Sequence, residues 1–247
     1  MPTRYESSLV GNTETVQSGG TLVADGMFIA TIPSAPREYS AGEAVALTLQ
    51  RTIEVVIAAI ALIITSPVML IIGAIVRLDS SGPALFRQLR VGINGRPFWF
   101  YKFRTLYADA KERFPELYAY DYSPQEVEAL QFKREEDPRV TRVGRWLRKS
   151  TLDELPNFWN VMKGEVAFVG PRPEIPEMLK HYTREQLLKF AVRPGITGLA
   201  QTHGRGNLAF QETIEWDLEY VRNKSPWLDI KIIGRTFRML ITLDGAF

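Results

Sequence analysis

Two adjacent carboxylates, Asp153 and Glu154, form the pattern best suited to chemistry in this chain. Pro156 follows closely, and because proline is tolerated in the first turn of a helix, we expect a helix to begin near Thr151–Asp153. An Asp at a helix start stays ionised and able to attack phosphorus, while an adjacent Glu can hold Mg²⁺ against phosphate oxygens. Thr151-x-x-Glu154 is also a capping box, so a purely structural role for both acids stays open.

Arginines precede this pair at a regular spacing. They recur every third residue, at Arg139, Arg142, Arg145 and Arg148. On a helix this spacing places them along one slowly drifting stripe, which is usually a solvated face. Here the stripe leads directly to two acids. A phosphate-binding role for Arg148 and a merely solvated helix face are therefore both open.

Three further basic side chains lie in loops that Pro or Gly constrains. Arg172 stands between two prolines, Arg193 precedes a Pro-Gly pair, and Arg205 stands between two glycines. A fixed backbone presents a guanidinium with little conformational freedom, which suits the recognition of phosphate. Together the three loops predict a binding site for a polyanion.

Other kinds of site are excluded by composition and motif. The chain contains no cysteine, which rules out disulfides and thiolate metal sites. Neither His181 nor His203 lies in a metal-ligand pattern. The Walker sequence is also missing, which argues against a P-loop nucleotidase.

A run of about twenty apolar residues, Val55–Val76, is long enough to cross a bilayer. Ser66-Pro67 interrupts it, and proline removes a backbone donor, so we expect a kink or a reversal there. The hydroxyls of Thr65 and Ser66 could re-satisfy the backbone at membrane depth. A kinked span, a re-entrant hairpin and a buried core helix are the three interpretations of this run.

Charge is distributed unevenly around this run, although the net charge is only +2. Residues 1–46 are polar and lack periodicity, which is typical of a disordered leader. Arg51 and Glu54, just before the run, lie on one face of a helix, where they could pair or anchor it at the water boundary. Basic residues crowd the other end, which favours a cytoplasmic membrane surface. They are Arg77, Arg87, Arg90, Arg96, Lys102 and Arg104, facing only Asp79.

A β-hairpin is predicted after the apolar run. Two extended segments, 84–91 and 97–103, flank Asn94-Gly95, a strong hairpin signal. Aromatic residues cluster in these segments and could fill a core or form an interfacial belt. They are Phe86, Phe98, Trp99, Phe100, Tyr101 and Phe103.

Taken together, the motifs from Gln50 onward resemble those of the bacterial sugar transferase family, the monotopic polyprenyl-phosphate phosphoglycosyl transferases. The matching blocks stand in the family's order. They are Arg51…Glu54, Ser66-Pro67, the blocks at 82–92 and 101–105, the block at 137–144, Leu152-Asp153-Glu154-Leu155-Pro156, Val169–Pro173 and Arg193–Gly198.

The resemblance implies an α+β, mostly helical fold. A re-entrant membrane helix broken at Ser66-Pro67, amphipathic interfacial helices and a small β-hairpin would surround an active site on the cytoplasmic face of the bacterial inner membrane. Three regions are expected: a leader (1–46), the re-entrant helix (47–78) and the catalytic domain (79–247). Because the chain has a single apolar run, it resembles the small form of the family.

The resemblance also implies a ping-pong phosphosugar transfer. Asp153 matches the family nucleophile, which attacks a nucleoside diphosphate sugar, usually a UDP-sugar, before a polyprenyl phosphate takes the phosphosugar. Glu154 matches the Mg²⁺-binding position. The phosphate-contacting positions are Arg148 and Arg172, with help from Lys102 and Arg104.

We expect no nucleic-acid partner, and the sequence leaves the sugar and the oligomeric state open. The alternative function is that of a membrane-bound scaffold that keeps the fold but has lost the chemistry. The presence of Asp153, Glu154, Arg148 and Arg172 argues against it.

Overall fold

A computed structural model describes residues 19–24, 27–33, 40–131, 137–204 and 207–242. The expected fold class is confirmed, since the described residues are mostly helical with three small two-stranded sheets. The strands are β1 (Gly19–Ala24), β2 (Met27–Pro33), β3 (Leu85–Val91), β4 (Pro97–Phe103), β5 (Ala167–Val169) and β6 (Gly195–Thr197). The helices are α1 (Ala41–Asp79), α2 (Ala110–Arg113), α3 (Pro124–Glu128), α4 (Arg142–Ser150), α5 (Asn157–Lys163), α6 (Leu199–Gly204), α7 (Phe210–Asn223) and α8 (Pro226–Thr242).

The apolar run lies within α1, which is helical throughout, with Pro67 inside it. Pro67 has no N–H to donate to the carbonyl of Ile63, four residues earlier. The Ser66 hydroxyl donates to that carbonyl instead, at 2.8 Å, and the Thr65 hydroxyl donates to the carbonyl of Ala61 at 2.7 Å. The two hydroxyls therefore supply hydrogen bonds where the proline weakens the helix.

α1 presents an apolar surface to its surroundings. In the described part of the chain it is the one helix long and apolar enough to cross a membrane, and 11% of its most apolar window is buried. The buried-core interpretation is therefore wrong, because a core helix would hide most of these side chains. The exposed apolar residues include Ile53, Val56, Ile57, Ile60, Ile63, Ile64, Val68, Leu70, Ile71 and Ile75.

Few α1 side chains are buried, and those that are pack on both sides of Pro67. Before it, Ala58 lies in a cluster with Phe98 and Phe100 of β4. After it, Ile72 packs in a second cluster with Phe103 of β4 and with Leu147 of α4. The parts of α1 before and after Pro67 therefore both pack against the domain that follows α1.

The predicted hairpin is confirmed as β3 and β4, an antiparallel pair that runs from Leu85 opposite Phe103 to Val91 opposite Pro97. Asn94 and Gly95 at its turn have φ of 52° and 77°, the left-handed conformation that Asn-Gly tolerates. The aromatic cluster is divided between burial and exposure. Phe98, Phe100 and Phe103 are buried, whereas Trp99 and Phe86 are 39% and 42% exposed.

Part of the segment expected to be a disordered leader forms a second pair of strands. β1 and β2 pair antiparallel, and β2 lies against the 3₁₀ turns Pro176–His181 and Gln186–Ala191 of the following domain. Asp25-Gly26 between two β-prone segments is the sequence signal for such a hairpin. The other leader residues before Ser40 lie outside the described ranges.

The start of α4 approaches the backbone just after β4 too closely for any side chain at Gly144. A Cβ there would lie 2.1 Å from the Thr105 carbonyl oxygen. Gly144 is buried, and its N–H donates to the Thr141 hydroxyl, which caps α4. This close approach brings the Arg148 Nε within 3.1 Å of the Thr105 hydroxyl.

We predict that Gly144→Ala destabilises the protein by about 2 kcal/mol or more, because the methyl group collides with backbone that cannot rotate away. Gly234→Ala is the matched control, since that helical glycine has no atom within 4 Å of the added Cβ. It should stabilise α8 by about 0.5–1 kcal/mol. Thermal unfolding of both variants in detergent tests this, and equal shifts would contradict the packing described above.

Candidate active site

Asp153 and Glu154 lie in a short 3₁₀ turn, Leu152–Glu154, between α4 and α5. Thr151 before the turn has φ of 58°, a strained value for a β-branched residue. The predicted capping box is wrong, because the Thr151 hydroxyl donates to the Ser150 carbonyl and makes no cap hydrogen bond. The helix also begins later than expected, with α5 at Asn157. Capping therefore does not account for these acids.

Lys102 is the cation closest to both carboxylates. Its Nζ lies 2.5 Å from Glu154 Oε1 and 4.0 Å from Asp153 Oδ2. The Asn160 side chain joins β4 to α5, since its amide donates to the Trp99 carbonyl and accepts from the Tyr101 N–H. Asn160, which sequence analysis did not single out, thus holds Lys102 opposite the two acids.

Arg172 also lies close to the acid pair. Its Nη1 lies 3.9 Å from Glu154 Oε1, and 48% of its side chain is exposed. The Pro171–Pro173 loop is fixed by Arg90, which donates to the Pro173 carbonyl at 3.0 Å. It is fixed also by the Val91 N–H, which donates to the Glu174 carbonyl at 2.8 Å.

Arg148 is oriented by residues that the arginine spacing alone does not reveal. Its Nε donates to the Thr105 hydroxyl at 3.1 Å, and its Nη1 lies 3.7 Å from Asp137 Oδ2. Arg139 binds the same carboxylate at 2.8 Å. The four arginines of the predicted stripe therefore have different surroundings, since Arg139 binds Asp137. Two of its members, Arg142 and Arg145, are exposed.

The two acids have opposite electrostatic environments. Burial raises the pKa of Asp153 to about 6, although the Lys102 cation opposes the rise. Burial acts on Glu154 in the same direction, but Lys102 and Arg172 together outweigh it and hold the Glu154 pKa below its usual range. Above pH 6 both are carboxylates, and Asp153 is the less stabilised of the two.

Two predicted substrate ligands have partners within the protein. Arg104 is 4% exposed and donates to the carbonyls of Ser80 and Ser81 at the end of α1. Arg104 therefore caps this helix and does not take the phosphate-binding role expected from the sequence, because its guanidinium is hidden from solvent. Arg193 lies 2.8 Å from Glu54, and Arg205 lies outside the described residues.

The chemistry of the donor set is compatible with Mg²⁺ bound together with a substrate. No group of three or more His, Cys, Asp or Glu side chains converges within the described ranges. Mg²⁺ needs fewer protein ligands than that, because it is held by one or two carboxylates plus phosphate oxygens and water. Glu154 would provide such a carboxylate.

Comparison with known proteins identifies the family. A model of the bacterial sugar transferase family matches residues 45–243. The undecaprenyl-phosphate galactose phosphotransferase of Salmonella typhimurium is 38% identical, over 81% of this chain and 42% of its own length. A UDP-N-acetylgalactosamine-undecaprenyl-phosphate N-acetylgalactosaminephosphotransferase of Aeromonas hydrophila is 37% identical, over 80% and 45%. The exopolysaccharide production protein ExoY of Rhizobium meliloti is 34% identical, over 86% and 94%.

The chain therefore belongs to the bacterial sugar transferase family. It spans less than half the length of the Salmonella and Aeromonas proteins and nearly all of ExoY. The matched residues include most of α1, together with β3, β4 and the whole of the site around Asp153.

We predict that removing each carboxylate changes stability in opposite directions at pH 7.5. The Asp153 pKa rises from 3.8 to about 6 on folding, so ionisation of Asp153 costs stability as the pH rises through this window. Asp153→Asn should therefore stabilise the protein by about 2–3 kcal/mol at pH 7.5, with the gain vanishing near pH 4. Glu154→Gln should destabilise it, because the lowered Glu154 pKa contributes stability that is present above the unfolded value and lost in acid.

Thermal unfolding from pH 4 to pH 8 in EDTA measures both effects without substrate or metal. The same direction of change in both variants at pH 7.5 would contradict the electrostatic assignment.

Proposed function

We propose that this protein transfers a sugar 1-phosphate from a nucleoside diphosphate sugar, a UDP-sugar, to a polyprenyl phosphate through a covalent phosphosugar on Asp153. The observation that carries the proposal is a carboxylate, 7% exposed, held 4.0 Å from the Lys102 ammonium and beside a second carboxylate. The names of the relatives, undecaprenyl-phosphate sugar phosphotransferases, support the acceptor and the transferred group.

In the first half-reaction, Asp153 is the nucleophile. A carboxylate oxygen forms a bond to the β-phosphorus, the bond to the bridging oxygen breaks, and the nucleoside monophosphate leaves with that electron pair. Catalysis of such a step rests on position and on charge neutralisation. Lys102, Arg148 and Arg172 provide positive charge around Asp153. Partial burial limits the access of water to the Asp153 carboxylate and to the phosphosugar formed on it.

Glu154 is the carboxylate that would hold Mg²⁺. The ion, when bound, neutralises the diphosphate and stabilises the leaving phosphate. Lys102 and Arg172 now share Glu154 Oε1. Incoming phosphate oxygens give both cations a new partner, which frees the Glu154 oxygen.

In the second half-reaction, a polyprenyl phosphate oxygen attacks the phosphorus of the intermediate, and the Asp153 carboxylate leaves. The product is a polyprenyl diphosphate sugar. One substrate is soluble and the other lies in a bilayer, so the site must be at a membrane surface.

Exposed tryptophans support that membrane placement. Trp159 of α5 and Trp146 of α4 are 50% and 54% exposed. Both α5 and α4 pack against α1. Trp227 of α8 is 64% exposed. Tryptophan is favoured at the boundary between lipid and water. α4, α5 and α8 thus fit the expected interfacial helices.

Three contacts support a re-entrant α1 rather than a straight span. Ala58, before Pro67, and Ile72, after it, both pack in clusters that include residues of β4, so the two halves of α1 lie against the same domain. β2, which precedes α1, contacts the domain that follows it. A bend at Ser66-Pro67 accommodates these contacts and leaves both ends of α1 on the catalytic, cytoplasmic side.

We predict that incubation with Mg²⁺ and a UDP-sugar, without lipid acceptor, leaves a phosphosugar on Asp153. UDP-galactose, UDP-N-acetylgalactosamine and UDP-glucose form the first donor panel. Intact-protein and peptide mass spectrometry detect the adduct, and release of UMP gives the stoichiometry.

Asp153→Asn should abolish both signals, because an amide cannot displace the nucleotide. Asp109→Asn is the matched control, since Asp109 is an exposed acid paired with Arg113, and it should react like the unaltered protein. An adduct that persists in Asp153→Asn removes the nucleophile assignment. No adduct and no UMP from any nucleotide sugar would favour the inactive-scaffold alternative.

We predict that cysteines placed at both ends of α1 are labelled from the same side of the membrane. The chain has no native cysteine, so Thr48→Cys and Ser81→Cys each give one reactive site. Lys180→Cys in the catalytic domain marks the cytoplasmic side. An impermeant maleimide applied to inverted and right-side-out vesicles should label all three variants only in inverted vesicles, and opposite labelling at 48 and 81 would restore the straight span.

A further inference from the structure

Arg51 of α1 makes contacts that an interfacial anchor does not need. Its Nη1 donates to the Val161 carbonyl at 2.6 Å, and its Nη2 donates to the Met162 carbonyl at 2.7 Å. Carbonyls in the last turn of a helix lack partners within that helix. The planar guanidinium binds two of them at once, although the Val161 carbonyl also accepts from the Gly164 N–H at 3.0 Å. The membrane helix therefore caps the carboxyl end of α5.

The opposite end of α5 is joined rigidly to the two acids. Backbone hydrogen bonds run continuously from the 3₁₀ turn into the helix, from Glu154 N–H to the Thr151 carbonyl and from Phe158 N–H to the Leu155 carbonyl. α5 is only about 10 Å long at 1.5 Å per residue, so the cap at its end lies close to the turn that holds Asp153. A shift of the capped end is thus transmitted to the nucleophile.

Glu54, one turn after Arg51, holds a second segment of the site. Its side chain is 6% exposed and lies 2.8 Å from the Arg193 Nη1 and 3.7 Å from the Arg51 Nη1. Arg193 leads into β6, where the Pro194 carbonyl accepts from the Ala167 N–H and the Gly195 N–H donates to the Pro171 carbonyl. Pro171 is the residue before Arg172.

We propose that Arg51 and Glu54 are positioning residues for phosphosugar transfer. One turn of the membrane helix holds two segments at a fixed separation: α5, which follows the turn that holds Asp153, and the β6 segment, which supports the Arg172 loop. This inference rests on the proposed function, because it assigns these residues an effect on the covalent step. It goes beyond anchoring, for which any cation at position 51 would serve.

The test compares Arg51→Lys with Arg77→Lys. Both variants keep a positive charge at one end of the apolar run, but only Arg51→Lys removes a guanidinium that caps α5. Arg77 has an exposed side chain in the last turn of α1. The measured quantity is the single-turnover rate of adduct formation on Asp153, using whichever UDP-sugar of the panel labels the unaltered protein.

For Arg51→Lys we expect the maximal rate constant to fall about tenfold, as for loss of one hydrogen bond to a charged group. The half-saturating donor concentration should stay within about twofold, because the donor contacts themselves remain. Arg77→Lys should match the unaltered protein, and both variants should remain in the membrane fraction.

An unchanged rate constant per folded molecule in Arg51→Lys, even with a lowered melting temperature, would reduce Arg51 to a structural cap and overturn the proposal. If Arg51→Lys does not fold in detergent, Glu54→Gln tests the same positioning role through the contact between Glu54 and Arg193. The same loss of rate is expected. Failure of the unaltered protein to form any adduct would instead overturn the proposed function itself.

Discussion

The structure depends on one buried carboxylate, Asp153, and a half-buried neighbour, Glu154, held beside a single ammonium group. Asp153 is 7% exposed, and Lys102 lies within 4.0 Å of it and 2.5 Å of Glu154. Burying charge is costly unless partners compensate for the lost water. Compensation here is unequal, since Glu154 has the closer contact with Lys102 and also faces Arg172. Asp153 is left as the less stabilised carboxylate, a property that suits a nucleophile and weakens the fold locally.

Much of the surrounding architecture serves to keep those cations in place. Asn160 ties β4 to α5, Gly144 lets α4 approach Thr105, and Arg90 fixes the Pro173 carbonyl. None of these residues has a role in the proposed phosphoryl transfer. Each determines where a charged side chain can stand, which is the main requirement when catalysis rests on position and charge.

A local signal predicts the β3–β4 hairpin correctly, whereas a distant partner or an unusual backbone conformation defeats prediction from sequence elsewhere. Asn94-Gly95 was enough to predict the β3–β4 hairpin, because the left-handed turn is decided by those two residues. Asp25-Gly26 carries a similar signal, but the polar composition around it favours disorder. The position of Arg104 beside other cations suggests phosphate binding and does not reveal the carbonyls at the end of α1 that its guanidinium contacts. The Thr151 capping box failed because the backbone there takes φ of 58°.

By itself, the sequence determined which residues with chemical potential the chain contains, namely the acid pair and the arginines in the loops. It also determined the order of the elements, including the hairpin and one apolar helix that contains Ser-Pro. These depend on residue type and short spacing, which are written in the chain. Tertiary structure alone decided which cation meets which acid. Lys102 and Glu154 are far apart in sequence, as are Glu54 and Arg193. Such pairs form only when packing brings separate segments together, and that packing also determines how far each carboxylate is removed from water.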